Sequence, residues 1–203
     1  MRHLLRVGLG LAALALMAVG AAAAEAPART LETAMAELSK GGVVILMRHA
    51  NSPADQVGSV GMTEGCVLQD GRGLDAKGFF QARFIGEFLK ANSVKIAAAF
   101  TSDMCRCWDT ARLVAGGGPV APVPALKTTN VSEIDIFKAA VTTLVAEKPG
   151  ENILLVTHSN IVPLFADWTT AEEIPSGVVL IVDPKTWTIK DKLNLDVDLS
   201  VGE

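Results

Sequence analysis

Residues 42–51, GVVILMRHAN, contain an uncharged apolar run that ends in Arg48 and His49. A run of this length and composition is typical of a strand that is buried on both faces of a sheet. Residues 151–160, ENILLVTHSN, show the same pattern and end their apolar run at His158. Two such strands, separated by helical segments, predict an α/β fold with a mostly parallel sheet.

The segments around these strands have helical spacing of apolar residues and recognisable ends. Three helices have a predicted N-cap: Thr30 before residues 31–40, Asp75 before residues 76–92, and Ser132 before residues 133–148. Two more helices are predicted: one that begins at Asp103 and ends at glycines 116–118, and a short one over residues 160–168.

The remaining apolar segments predict the other strands: residues 95–102, 119–126, 177–183 and 186–193. Residues 119–126 contain three prolines, and proline is excluded from central ladder positions, so this segment is expected at a sheet edge. The last two segments are expected to pair as an antiparallel edge. The predicted architecture is a three-layer α/β/α sandwich with a mostly parallel central sheet.

Composition excludes several classes of protein. The chain has 203 residues, of which 18 are Lys or Arg and 22 are Asp or Glu, so its net charge is −4. Bulk positive charge for binding nucleic acid is therefore absent, although a local basic pocket is compatible with this balance. The hydrophobic fraction of 50% excludes a disordered charged tail.

The first 24 residues predict a signal peptide. Residues 1–6 are basic, residues 7–24 are uncharged, and the run ends in alanines, which suits cleavage after Ala24. The alternative is an uncleaved membrane anchor. Cleavage removes two arginines and no acidic residue, so the net charge falls from −4 to −6. The expectation is a single domain over residues 25–203, periplasmic or secreted, without a stable membrane span.

Export changes the interpretation of the three cysteines, because an oxidising compartment favours a disulfide over a metal site. Cys105 and Cys107 are two residues apart on a predicted helix, so their side chains point about 200° apart and are poorly placed to pair. A bridge from Cys66 to one of them is expected, and three unpaired thiols are the alternative.

Chemically informative residues follow three of the predicted strands: Arg48-His49, Thr101-Ser102 and Thr157-His158. Ligands of parallel α/β sheets bind beyond the carboxyl ends of the strands. Arg106 lies one turn after Ser102, and an arginine beside the free N–H groups of a helix start suits phosphate. The alternative is that Arg106 pairs with Asp103 or Asp109.

Taken together and in order, these motifs resemble the histidine phosphatase superfamily, which includes phosphoglycerate mutases and histidine acid phosphatases. The motifs are Arg-His, here followed by Ala50 in place of the usual Gly, then Ser-x-x-x-Arg-x-x-x-Thr-Ala from Ser102, then Val-Thr-His ending at His158. Residues 74–82, LDAKGFFQA, are similar to the family's Leu-Ser/Thr-x-x-Gly-x-x-Gln-Ala helix. The resemblance covers residues 42–183 and implies a phosphoglycerate mutase-like fold.

Within the family, the predicted signal peptide, Cys66 upstream of Gln69 and Arg72, and Cys-Arg-Cys at residues 105–107 resemble an exported bacterial branch. That branch includes lipopolysaccharide core heptose phosphatases. The resemblance to the branch does not by itself carry that substrate over to this chain.

The resemblance implies a phosphatase that works through a phosphohistidine on His49, because neutral imidazole can attack phosphorus. Arg48, Arg106 and His158 would compensate charge on the transferred group. Asn51, Ser102 and Arg72 are candidates for further substrate contacts. No metal or cofactor is expected, and the expected partner is a small phosphorylated substrate or a phosphorylated envelope component.

The acid that protonates the leaving oxygen is not evident, because Ser159 and Asn160 follow His158 where some branches have a carboxylate. Either a carboxylate from elsewhere acts, or the enzyme prefers good leaving groups such as a phosphoramidate or an acyl phosphate. The alternatives to a phosphomonoesterase are a phosphoprotein or phosphohistidine phosphatase, a mutase, and a non-catalytic phosphate-binding module. The candidate acids are Asp55, Glu64, Glu133, Glu172 and Glu173.

Overall fold

The computed structural model describes residues 30–53, 72–168 and 173–195. Several predictions lie outside these residues: the signal peptide 1–24 with its cleavage site, Asp55, Glu64, Cys66 and Glu172.

The described residues form helices and strands in alternation. The helices are α1 (Leu31–Lys40), α2 (Ala76–Ala91), α3 (Cys105–Val114), α4 (Val131–Glu147) and α5 (Val162–Phe165), with a 3₁₀ turn at Pro124–Leu126. The strands are β1 (Val44–Arg48), β2 (Ile96–Thr101), β3 (Val120–Pro122), β4 (Asn152–Thr157), β5 (Val179–Val182) and β6 (Ile189–Leu193). No helix among the described residues is both long and apolar enough to cross a bilayer.

The strands form one sheet in the order β3-β2-β4-β1-β5-β6 within the described residues. Strands β3, β2, β4 and β1 are parallel to one another. Strand β5 pairs antiparallel with β1 and with β6, so β5 and β6 form the antiparallel end that the sequence predicts. Arg48 is opposite Thr157 in the register of β1 and β4. The next residues, His49 and His158, therefore leave the sheet at the same edge.

The sheet has a hydrophobic core on each face, which confirms the three-layer architecture. Ile45 and Met47 of β1 pack in the core beneath α1, α2 and α3. Val44 and Leu46 pack on the opposite face with α4 and α5. Full burial stabilises such side chains by roughly 1.5–3 kcal/mol each. This double burial explains why β1 has no polar residue before Arg48.

The predicted bounds of three helices are wrong. Helix α4 begins at Val131 rather than after Ser132, because the Asn130 side chain accepts a hydrogen bond from the Ser132 N–H at 3.1 Å. Helix α3 begins at Cys105 rather than at Asp103, whose carboxylate binds Lys127. The last short helix covers only Val162–Phe165, because the backbone of the following residue is extended.

Candidate active site

His49 occupies the carboxyl end of β1 and is 3% exposed. Its Nδ1 lies 2.8 Å from the carbonyl oxygen of Ala50. A carbonyl can only accept, so Nδ1 is assigned the proton and Nε2 carries the lone pair. Arg106 Nε donates to that Nε2 at 3.2 Å. Burial lowers the pKa of His49 to about 3, so the ring is neutral at physiological pH.

His158 occupies the end of the neighbouring strand and is 8% exposed. Its Nδ1 lies 3.3 Å from Arg106 Nη2 and its Nε2 lies 2.9 Å from Ser102 Oγ. Because arginine can only donate, Nδ1 accepts and Nε2 carries the proton. Burial lowers the pKa of His158 to about 4, with Arg106 and Arg72 acting in the same direction.

Arg106 links the two imidazoles, whose ring centroids are 5.5 Å apart. The first turn of α3 brings it to this position, as the motif predicts. The two carboxylates considered as alternative partners have other contacts. Asp103 binds Lys127 at 2.7 Å, and Asp109 binds Arg112 at 3.3 Å.

These groups border a cavity of about 300 Å³, which we call the histidine cavity. Among the described residues that line it, three are arginines, one is a lysine and none is acidic. Such a cavity suits an oxyanion, since each equatorial oxygen can meet a fixed positive charge or N–H group. The lining residues are Arg48, His49, Arg72, Met104, Arg106, Lys127, His158, Ser159, Asn160 and Ile161.

Arg48 lies between the histidine cavity and a second cavity of about 610 Å³, since it lines both. Its Nη1 donates to the carbonyl oxygen of Ile174 and to Glu173 at 3.3 Å. The Glu173 side chain is 86% exposed, so this ion pair contributes little to stability. The guanidinium of Arg48 is therefore held mainly by main-chain contact.

The predicted substrate contacts take three different positions. Arg72 lines the histidine cavity and donates to the Ser52 carbonyl oxygen at 2.9 Å. Ser102 is buried behind His158. Asn51 lines the larger cavity instead, and its amide donates to Asp75 at 2.7 Å.

The described candidates for the general acid do not line the histidine cavity. Glu133 lies in the first turn of α4 and accepts from Asn130 at 3.0 Å. Glu173 lines the larger cavity, where it pairs with Arg48. The other three candidates lie outside the described residues, so their role stays a prediction.

Two positioning residues were missed by sequence reasoning. Gln81 of α2 accepts from the Asn51 N–H at 3.0 Å and donates to the Ser176 carbonyl oxygen at 2.8 Å. Thr110 of α3 accepts from the Ala50 N–H at 3.0 Å. Both lie in quoted motifs, and together they hold the chain that follows His49.

Gly78 explains another position of the α2 motif. A Cβ at this residue would overlap the carbonyl oxygen of Asn51. The first turn of α2 therefore packs directly on the segment after His49, and only glycine permits that approach.

Lys127 was also missed, although it lines the histidine cavity. It follows the edge strand β3 and its 3₁₀ turn. Applying the strand-end rule to the proline-rich edge segment would have found it.

The cysteines differ in their surroundings. Cys107 is a free, buried thiol, and its Sγ lies 3.6 Å from His158 Nε2. Cys105 is buried at the start of α3. Among the described residues, no group of three His, Cys, Asp or Glu side chains is arranged to hold a metal ion.

Comparison with known proteins gives a family match and structural neighbours. Residues 44–137 match the model of the histidine phosphatase superfamily (branch 1). No curated protein matches the sequence.

Three solved structures share the fold. The protein histidine phosphatase SixA in complex with tungstate is 18% identical, with a TM-score of 0.56 over 75% of this chain and 96% of that chain. A putative phosphohistidine phosphatase SixA from Agrobacterium tumefaciens is 17% identical, with a TM-score of 0.54 over 75% of this chain and 97% of that chain. A phosphoglycerate mutase from Bacillus anthracis str. Sterne is 15% identical, with a TM-score of 0.52 over 72% of this chain and 90% of that chain.

At these identities the solved structures establish the fold and nothing about the substrate. The family match covers the strand that ends in His49 and the helix that carries Arg106. This chain is therefore similar to the histidine phosphatase superfamily in the segment that contains the Arg-His and Ser-x-x-x-Arg motifs.

Proposed function

We propose that this protein hydrolyses phosphomonoesters through a phosphohistidine intermediate on His49. One observation carries the proposal: His49 is neutral and presents the Nε2 lone pair beside Arg106 in a cavity with four cationic side chains. An unprotonated imidazole is the form that attacks phosphorus.

In the first step, Arg106 Nε turns from His49 Nε2 to an oxygen of the bound phosphoryl group, which frees the Nε2 lone pair. His49 Nε2 then forms a bond to phosphorus as the bond from phosphorus to the leaving oxygen breaks. Arg48 and Arg106 compensate the charge on the equatorial oxygens. A bound dianion raises the pKa of His158, so a protonated Nδ1 can donate to a phosphoryl oxygen. Water then attacks phosphorus, the P–N bond breaks, and Nε2 recovers its lone pair. The proton that the water loses balances, through solvent, the one that the leaving oxygen takes up.

The chemistry of the histidine cavity favours substrates with good leaving groups. No described lining residue is a carboxylate, so an alkoxide would leave without a carboxylic acid from these residues. A phosphoramidate or an acyl phosphate needs less assistance. This observation also favours a phosphohistidine phosphatase as the second candidate function.

A leaving-group series tests both candidates. Turnover of p-nitrophenyl phosphate, an alkyl phosphate and a phosphohistidine peptide is measured for the purified protein and for Asp55→Asn and Glu64→Gln. If a loop carboxylate acts, one variant loses alkyl phosphate turnover and retains the phosphoramidate. No turnover of any substrate would leave the phosphate-binding module as the function.

The larger cavity supports a substrate that extends beyond its phosphoryl group. It shares Arg48 with the histidine cavity and is lined by Lys77 and Asn51. The resemblance to the exported branch suggests phosphorylated envelope components for this space. A panel of sugar phosphates, phosphopeptides and phospholipid headgroups, with kcat/KM for each, identifies the class.

The reaction is proposed to need no metal, because the cavity supplies its charge through side chains. The activity should survive EDTA at a concentration that strips divalent cations. Activity that falls with EDTA and returns with one cation would contradict this.

We also infer export and a disulfide between Cys66 and Cys105. Residues 1–24 have the composition of a signal peptide, and the free thiol of Cys107 leaves Cys105 as the partner for Cys66. N-terminal sequencing of the mature protein should begin at Glu25. Non-reducing peptide mapping should recover Cys66 linked to Cys105.

A further inference from the structure

Lys127 lines the histidine cavity, and its main chain is anchored beside His158. It directly follows the 3₁₀ turn Pro124–Leu126. The carbonyl oxygen of Leu126, whose side chain is fully buried, accepts a hydrogen bond from the Thr157 hydroxyl at 2.6 Å. Since Thr157 immediately precedes His158, this contact fixes the chain before Lys127 against the strand that carries the second histidine.

The Lys127 side chain reaches back along the edge of the sheet. Its ammonium group donates to the Asp103 carboxylate at 2.7 Å, and Asp103 lies just beyond the end of β2. Strand β2 is the neighbour of β4, which ends directly before His158. An ammonium group has three N–H donors, and Asp103 is the partner that the described residues provide. Two N–H groups therefore remain for a molecule bound in the cavity.

His49 and Lys127 border the histidine cavity from opposite sides. The strand order β3-β2-β4-β1 puts His49 after β1 and Lys127 beyond β3, at the two ends of this row. His49 Nε2 faces Arg106 on the helix that follows β2, so its lone pair points away from β1 along the row. In an in-line displacement the leaving oxygen lies on the far side of phosphorus from the attacking atom. Attack by His49 therefore directs the leaving oxygen toward Lys127.

Among the described residues that line the cavity, Lys127 is the group suited to protonate a leaving oxygen. The three arginines keep their protons in proteins, and the side chains of Ser159 and Asn160 do not release theirs readily. His158 Nδ1 faces Arg106 and serves the phosphoryl oxygens with it. An ammonium group, by contrast, can give a proton to an alkoxide as it forms, because the alkoxide is the stronger base.

We propose that Lys127 is the general acid of the reaction, held in place by Asp103; this assignment rests on the proposed function. As the bond from phosphorus to the leaving oxygen breaks, its electron pair stays on that oxygen, which takes a proton from the Lys127 ammonium and leaves as an alcohol. When water attacks the phosphohistidine, the P–N electron pair returns to His49 Nε2, and a water proton passes to the neutral Lys127 amine. Lys127 thus carries the proton that would otherwise pass through solvent.

The test is kcat/KM for p-nitrophenyl, phenyl and alkyl phosphates, whose leaving groups are progressively more basic. This ratio reports only the steps up to release of the alcohol, so the later return of the proton does not enter it. Lys127→Arg keeps the positive charge but cannot give up a proton. It should lower kcat/KM about a hundredfold for the alkyl phosphate and by no more than about threefold for p-nitrophenyl phosphate, because a general acid contributes most to the poorest leaving group.

Three further variants separate proton donation from charge and from folding. Lys148→Arg, at the exposed end of α4, is the matched control and should leave the whole series unchanged. Lys127→Ala removes both acid and charge, and methylammonium chloride should restore its alkyl phosphate turnover, whereas guanidinium chloride at the same millimolar concentration should not. Asp103→Asn should show the Lys127→Arg pattern in weaker form, because the ammonium loses its fixed partner. If Lys127→Arg does not fold, the rescue of Lys127→Ala decides.

A uniform loss across the series in Lys127→Arg, or no loss, would overturn the role of Lys127 and leave the phosphohistidine mechanism standing. The same holds if Asp55→Asn or Glu64→Gln shows the steep dependence on the leaving group instead. A wild-type protein that hydrolyses p-nitrophenyl phosphate and no alkyl phosphate would also overturn it, since no acid then acts. Failure of the proposed function is distinct: the wild-type protein turns over none of the substrates, no phosphohistidine forms on His49, and the acid role falls with it.

Discussion

His49 and His158 stand side by side at the ends of two paired strands, yet they are held in opposite tautomers. His49 donates from Nδ1 to a main-chain carbonyl, that of Ala50. His158 donates from Nε2 to the Ser102 side chain and rests on Cys107. Arg106 donates to the remaining nitrogen of each ring.

This difference shows two ways to orient an imidazole. The acceptor for His49 Nδ1 is a main-chain carbonyl, which is present whatever the side chains are. The backbone alone therefore sets the tautomer that leaves the lone pair on His49 Nε2. The orientation of His158 depends on side chains that substitution can change. The orientation of His49, the proposed nucleophile, is therefore less sensitive to substitution of its neighbours than that of His158.

Substitution of His49 is expected to have the largest effect on turnover. His49→Ala removes the atom that bonds to phosphorus in the proposed reaction, so kcat should fall by about a thousandfold or more. His158→Ala retains the nucleophile and should still form an acid-labile phosphoenzyme, more slowly. Rapid quench with labelled substrate measures both. A phosphoenzyme in His49→Ala would reverse the two roles.

Arg106→Lys tests the link between the rings. Lysine keeps the charge but cannot donate to both imidazoles in the planar geometry of arginine, so kcat should fall about a hundredfold. Arg112→Lys on the same helix is the matched control, because Arg112 makes an exposed pair with Asp109. Equal effects of the two substitutions on kcat would show that Arg106 acts only through general charge.

The two lowered histidine pKa values predict acid destabilisation. The pKa values of about 3 and about 4 lie below the ordinary value of 6.5, so the unfolded chain binds more protons in that interval. The stabilisation is fully present above about pH 6.5 and is lost as pH falls toward the folded values. Each histidine should remove about 2 kcal/mol between about pH 7 and about pH 5.

Urea unfolding at a series of pH values measures this slope. His158→Gln should remove about half of the histidine contribution, and inorganic phosphate should reduce the slope by raising both pKa values. A free energy of unfolding that stays constant across the interval would contradict the neutral, buried state of the two rings.

The smallest effect on kcat is expected for substitution of Ser102, which contacts His158. Ser102→Ala should lower kcat about tenfold, since it removes one buried hydrogen-bond partner of the ring. Thr101→Val is the neighbouring control, because the buried Thr101 hydroxyl oxygen has no hydrogen-bond partner among the described residues. Equal kcat values for the two variants would show that the Ser102 contact with His158 does not support turnover.

Sequence reasoning located the site because strand ends are visible as apolar runs that stop at polar residues. That rule found Arg48, His49, Ser102 and His158, and the structure brings them to one edge. It missed Lys127 because the edge segment was treated only as a strand. It placed a helix cap at Ser132 because Asn130 and Ser132 are both suitable cap residues, and only the folded structure selects Asn130.

The order of apolar runs, motifs and turn residues thus determined the sheet, the layers and the residues at the cavity, because burial on both faces leaves few arrangements for such runs. Only the tertiary structure decided how those residues are oriented. Gln81 and Thr110 hold the main chain after His49, and the Cys107 sulfur packs on the His158 ring. These contacts and the two tautomers depend on distances between residues far apart in the chain. Hydrogen-bond direction is a property of three-dimensional neighbours, and a linear pattern of residue types does not contain it.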